Sequence, residues 1–263
     1  MMTIQKYVRA QSLEEAYQLN QQKQNRIIGG MLWLKMTQLR VGTAIDLCDL
    51  GLDTIEETDE AFSIGAMVTL RQLETHESLN AYAQGAVTKA VQGIVGVQLR
   101  NMATVGGSLW SRFGFSDVLT VFLAMDSYVE LYKGGIMPLA QFAAMKPDGD
   151  LLVRLIVKKT PGQFAYQAMR IQRTDFPVLT CAASRLNGSC QVVIGARPHK
   201  AMVITDENGL LSGGLTEEAI AAFADMVAEQ TPVGSNMRGS EAYRRHLCKV
   251  LTSRCLMELG GVR

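Results

Sequence analysis

Two glycine pairs, Gly29-Gly30 and Gly106-Gly107, stand out as places able to do chemistry, each following an apolar run and leading into helix formers. Successive backbone N–H groups at such a turn converge on an anion, and a helix starting there adds the positive end of its dipole. A phosphate comes close to the backbone only where no Cβ intervenes, so glycine is the residue this chemistry asks for. Two such turns can grip a pyrophosphate from both sides. Taken singly, a helix C-cap or a plain strand-to-helix turn accounts for either pair.

The side chains offer little acid–base or nucleophilic capacity. His76, His199 and His246 are isolated from one another, and none sits in an H-E-x-x-H or G-x-S-x-G setting. The five cysteines are widely spaced with no C-x-x-C pair, which argues against a zinc or iron–sulfur site. Cys181, Cys190, Cys248 and Cys255 read as small buried hydrophobes. No glycine precedes a lysine and no two are spaced G-x-G, so the Walker loop and the Rossmann fingerprint are both absent.

The elements that must hold these turns follow from local pattern. Ser12-Leu13-Glu14-Glu15 is a capping box that starts a helix. Residues 26–28 are a β-branched run ended by Gly29-Gly30, and residues 31–39 carry helix formers, which predicts strand, glycine turn, helix. Further strands are expected at 44–48, 62–68, 128–132 and 151–157, with helices at 70–78 and 117–125. Residues 158–162 (KKTPG) have linker composition, which puts a boundary near Pro161. Beyond it, runs at 164–171, 178–186 and 191–196 predict an antiparallel meander, closed by helices capped at Thr216 and Ser240.

Composition bounds the class. The chain has 263 residues, 48% of them hydrophobic, and its 26 basic against 25 acidic residues leave no field to hold a nucleic acid. No apolar run reaches the ~18–20 residues of a membrane span and the first ten residues lack a signal core, so a cytosolic chain without a membrane span is expected.

Several motifs then align with one family. Arg100-Asn101-Met102-Ala103-Thr104-Val105-Gly106-Gly107-Ser108-Leu109 meets the pattern R-N-x-x-T-I-G-G-N-L, and residues 63–70 (SIGAMVTL) meet I-G-A-x-x-T-L. Arg173-Thr174-Asp175, Ile194-Gly195-Ala196 and Arg238-Gly239-Ser240-Glu241-Ala242-Tyr243-Arg244 extend the agreement to the second half. The chain resembles the FAD-binding medium subunit of molybdenum hydroxylases, the xanthine dehydrogenase and carbon monoxide dehydrogenase family. The resemblance implies an α+β protein: a two-lobed FAD-binding domain of the vanillyl-alcohol-oxidase (PCMH) type over 1–160, then a small C-terminal domain of antiparallel sheet and helices over 161–263.

It also implies FAD as cofactor, while the chain's own histidines and scattered cysteines assign it no catalytic or metal-binding side chain. The FAD pyrophosphate is expected against Ile27, Ile28, Gly29, Gly30, Met31 and Leu32, and against Thr104, Val105, Gly106, Gly107 and Ser108, with Thr104 the clearest side-chain donor. Ser116 and Asp117 match an acid near the flavin and its ribityl chain, although helix N-capping explains Asp117 equally well. Leu152 matches an apolar strand near the isoalloxazine edge. The implied partners are a large molybdopterin-binding subunit, a small 2Fe-2S iron–sulfur subunit, and NAD or another electron acceptor.

The chain departs from the family pattern at four places. Met31-Leu32 stands where G-G-T-D-L has a hydroxyl and a carboxylate, Ser108 stands for Asn, and Gln167 and Met169 occupy the region of a usual Lys. Each change removes a polar contact. They raise the alternative of a structural or assembly subunit with weakened or lost FAD binding.

Overall fold

Capping chemistry opens the fold as expected. The Ser12 hydroxyl accepts from the Glu15 N–H at 3.1 Å at the start of α1 (Leu13–Asn20), while the Glu15 carboxylate reaches back to the Gln11 N–H. The computed structural model describes residues 1–261, so the last two residues of the expected second domain lie outside it. The described chain forms two units, each assembled from separated segments.

The first unit comprises Met1–Gln72, Val97–Ser111 and Ser127–Lys158. Its smaller sheet is parallel, with β3 (Arg40–Asp46) between β1 (Thr3–Arg9) and β2 (Arg26–Ile28). Its larger sheet is antiparallel, in the order β4 (Ile55–Glu57), β5 (Ala61–Gly65), β8 (Leu152–Lys158), β6 (Ser127–Leu131), β7 (Gly135–Pro138). The alternation of residues 62–68 therefore serves a strand that stops at Gly65.

Two helical expectations change. Residues 31–39 hold only a single 3₁₀ turn, Leu34–Met36: Met31 has a left-handed backbone, φ 58°, and stays outside it, and the turn ends at Thr37, whose backbone is extended and whose hydroxyl donates to the Leu34 carbonyl. Residues 70–78 divide into α2 (Leu70–Thr75) and α3 (Glu77–Tyr82), since the His76 Nδ1 accepts the Leu79 N–H and starts a new helix. The pattern also concealed α4 (Ala86–Gln92), α5 (Val97–Arg100) and α8 (Leu139–Ala144), while α6 (Val105–Trp110) follows directly on the loop after α5.

The second unit comprises Leu73–Gly96, Arg112–Asp126 and the residues from Lys159 on. The meander is present as β9 (Gly162–Arg170), β10 (Pro177–Leu186) and β11 (Ser189–Gly195), extended by β12 (Met202–Thr205). Thr216 and Ser240 cap α9 (Glu217–Gln230) and α10 (Glu241–Gly260) through their hydroxyls. Ala165, Leu179, Cys181 and Ala183 join the core made with α9 and α10. The alternate residues Tyr166 and Thr180 face the other way, onto Asp117 and Thr120 of α7 (Asp117–Leu123). With both faces covered, β10 reads as a nearly unbroken buried run.

Among the described residues, no helix is long and apolar enough to cross a membrane, and no group of three or more His, Cys, Asp or Glu could hold a metal ion. The four cysteines read as hydrophobes are buried, and Cys48 is exposed.

Candidate functional site

The first glycine pair leaves β2 as an irregular loop. Ile27 and Ile28 turn their side chains into two separate apolar clusters, so this stretch offers the loop only its backbone. Met31 and Leu34 pack on Ile28, Val41 and Ala44, which explains an apolar residue at Met31 despite its left-handed backbone. That conformation costs about 1–2 kcal/mol, and burial of the side chain is the compensating term. Among the described residues, no loop, turn or side-chain acceptor takes the N–H groups of Gly29, Gly30, Met31 or Leu32.

The second pair behaves otherwise. Gly106-Gly107 lies inside the first turn of α6, where the Thr104 hydroxyl accepts the Gly107 N–H at 3.1 Å. The Val105 and Gly106 N–H groups donate to the Val68 and Ala66 carbonyls at 2.8 and 2.7 Å, and the Ser108 hydroxyl donates to the Thr104 carbonyl at 3.0 Å. The donors that this turn was expected to offer an anion are thus already engaged. One polar hydrogen is left over: the Thr104 O–H has no acceptor among the described residues.

Thr104 is where the two pairs meet. A Cβ on Gly29 would lie 2.6 Å from Thr104 Oγ1, and one on Gly30 would lie 1.8 Å from the Met102 carbonyl oxygen. A Cβ on Gly106 would lie 2.7 Å from the Ala66 carbonyl oxygen. These three glycines are required by the close approach of protein to protein. Gly107 differs, being exposed and having only Thr104 Oγ1, at 3.2 Å, within 4 Å of its Cβ position. The carbonyls of Ala66, Val68 and Met102 are the partners that sequence reasoning missed, and backbone atoms leave no residue-type signal to find them by.

The remaining expected residues are held by partners of their own. Ser116 and Asp117 belong to the second unit. Ser116, not Asp117, caps α7, accepting the Leu119 N–H at 3.1 Å. The buried Asp117 carboxylate accepts from the Tyr166 hydroxyl and the Arg170 Nη2, both at 2.5 Å. Burial raises the Asp117 carboxyl and the Tyr166 phenol from their ordinary values, and the Arg170 guanidinium draws the carboxyl back down. This anchor was legible in part, since Tyr166 and Arg170 stand four apart on one face of β9. Leu152 opens β8 opposite Leu131 beside a register shift, and Gln167 donates to Glu258 at 3.0 Å.

Comparison with known proteins identifies the assembly of these parts. Residues 2–159 match the family described as the FAD binding domain in molybdopterin dehydrogenase, and residues 164–259 match the CO dehydrogenase flavoprotein C-terminal domain. The chain belongs to this family of FAD-binding flavoproteins. Among its relatives, the uncharacterized protein YgfM of Escherichia coli K12 is 27% identical over 256 residues, spanning 95% of this chain and 94% of its own. The glyceraldehyde dehydrogenase medium chain of Sulfolobus acidocaldarius is 24% identical over 282 residues, covering 96% and 97%. The structure of reconstituted CO dehydrogenase from Oligotropha carboxidovorans superposes with a TM-score of 0.87 at 20% identity, covering 99% of each chain, and shares the fold. The α+β architecture of a FAD-binding domain followed by a flavoprotein C-terminal domain is therefore the one the motifs implied.

The residues of this flavoprotein suit a pyrophosphate. Such a group needs N–H donors without internal acceptors and a stretch of backbone it can approach. The Gly29–Leu32 loop has the first, Gly107 is bare toward solvent, and the Thr104 hydroxyl adjoins both.

Proposed function

We propose that this chain is the FAD-binding medium subunit of a cytosolic molybdenum hydroxylase. Residues 1–160 act as the flavin domain and 161–263 as the C-terminal domain, a division supported by family matches at 2–159 and 164–259. The name of the medium-chain relative supports a complex of several subunits, and in this reading the partners are a large molybdopterin-binding subunit and a small 2Fe-2S subunit. Bound FAD supplies the electron-carrying chemistry, linking iron–sulfur centres of the small subunit to NAD or another acceptor.

The chain's own residues bind and orient. The N–H groups of Gly29, Gly30, Met31 and Leu32 donate to the pyrophosphate, the Thr104 hydroxyl adds a donor, and Gly107 leaves room for approach. Ile27, Ile28, Val105, Gly106 and Ser108 hold the two loops in place. In the second unit, Asp117, capped in by Ser116, ties α7 to β9, and Leu152 holds the centre of the larger sheet of the first unit. The observation that carries this reading is the row of unaccepted N–H groups beside Thr104.

The test is titration of the purified full chain with FAD. Saturable binding near one FAD per chain, giving a yellow protein, is the expected result; a chain that takes up none overturns the reading. Met31 favours a second reading, a structural subunit with a weak hold on FAD, because an apolar side chain replaces a polar one in the binding loop. Met31→Asn keeps the left-handed turn and restores one polar group, which should gain no more than about tenfold in affinity. A much larger gain favours the second reading.

A further inference from the structure

The second unit contains a cavity of about 210 Å³ outside every residue assigned above, lined in part by Phe115, Phe176, Ala196, Pro198, Arg238 and Arg244. Phe115 and Phe176 are the aromatic part of its wall. Phe115 meets Phe176 edge-on at 4.8 Å between centroids and stacks with Phe113 at 5.0 Å. The Arg238 guanidinium lies over the Phe176 ring, 4.7 Å from its centroid.

Its charge is not balanced. Arg244 is 1% exposed and donates to the carbonyls of Val178, Gly234 and Gly239 and to the Asn236 side-chain oxygen, with no carboxylate among its partners. These bonds engage four of its five N–H groups, so one Nη2 N–H lacks an acceptor among the described residues. The Arg238 Nε is buried without a partner, and the Arg238 Nη2 reaches Asp175 at the long distance of 3.6 Å. Of the two guanidiniums, only that of Arg238 is paired with a carboxylate among the described residues. Burial and the adjacent Arg238 both disfavour the charge on Arg244. Backbone strain marks the same rim, where Ala196 holds φ 55° and donates to the Gly114 carbonyl at 2.6 Å.

A buried guanidinium seeks an anion, and it recognises a carboxylate best through two parallel N–H bonds. Flat aromatic walls favour a flat apolar body. We infer that this cavity is a binding site for a small planar organic anion, a carboxylate on an aromatic ring, held by Arg238 and Arg244 against Phe115 and Phe176. The inference does not rest on the flavin site, and FAD uptake by the same sample reports on that site separately.

The experiment is calorimetric titration of the full chain, saturated with FAD where it binds, using benzoate, its neutral counterpart benzamide, and inorganic phosphate. One saturable benzoate site is expected, at least about tenfold tighter than for either of the others. Arg238→Gln should weaken benzoate by about tenfold or more, with Arg238→Lys between it and the natural chain, since lysine keeps the charge but loses the planar fork. Phe176→Leu provides a second variant should Arg238→Gln fail to fold, and it should weaken benzoate while leaving phosphate unchanged. No saturable benzoate binding, equal binding of benzamide, or a benzoate affinity indifferent to both substitutions overturns the inference.

Discussion

Gly29-Gly30 lies in an irregular loop whose N–H groups have no internal acceptor, whereas Gly106-Gly107 lies in a helical turn whose N–H groups are engaged by Ala66, Val68 and Thr104. The same dipeptide therefore serves two purposes. In the first loop the glycines let two stretches of chain touch, and the donors are left over as a by-product of that contact. In the second, Gly106 is a packing residue like Gly29 and Gly30, and only Gly107 keeps a face open. A glycine pair near a phosphate site is not by itself a statement about which residue meets the phosphate.

This contrast can be broken by adding a single methyl group at each place. Gly30→Ala should have the largest effect, because its Cβ would sit 1.8 Å from a backbone oxygen that no side-chain rotation can move. We expect a loss of about 3 kcal/mol or more in urea unfolding, together with loss of FAD binding. A wild-type midpoint would show that the two loops are not held together.

Gly106→Ala comes next. Its Cβ would meet the Ala66 carbonyl oxygen at 2.7 Å and the Ala66 Cβ at 2.9 Å, and α6 can shift slightly to relieve this. Overpacking of this kind costs about 1–3 kcal/mol, visible as a lowered Tm. An unchanged Tm would mean that α6 does not bear on the Ala66 turn.

Gly107→Ala should have the smallest effect on stability, within about 1 kcal/mol, since helix propensity offsets a mild contact with Thr104. Its effect should appear instead in FAD titration, as a fall of about tenfold or more in affinity. Wild-type FAD affinity in this variant would remove Gly107 from the site and leave the two pairs alike.

Much of the frame was legible along the chain. Ser12, Thr216 and Ser240 mark real helix starts because a cap satisfies N–H groups three residues away, and that chemistry is local. The meander over β9 to β11 was readable for the same reason. The helix expected at 31–39 was not, because Met31 is left-handed and the extended backbone of Thr37 ends the turn after Met36, and the packing of Met31 on Val41 and Ala44 is not local. In α10 Tyr243 is 41% exposed while its neighbour Arg244 is buried, an inversion that residue type alone would not suggest. Asp117 likewise read as a cap or a flavin contact, and only the return of β9 supplies the tyrosine and arginine that take up its carboxylate.

The sequence by itself determined the family, the flavin, the two glycine pairs and the order of most elements, since motifs, caps and periodicity are properties of neighbours along the chain. Tertiary structure decided which N–H groups are left without acceptors, which glycines are crowded and which is open, and where Asp117 and Arg244 place their charge. Those outcomes depend on atoms brought within about 3 Å from distant segments, and hydrogen-bond satisfaction and steric exclusion are settled only at that range.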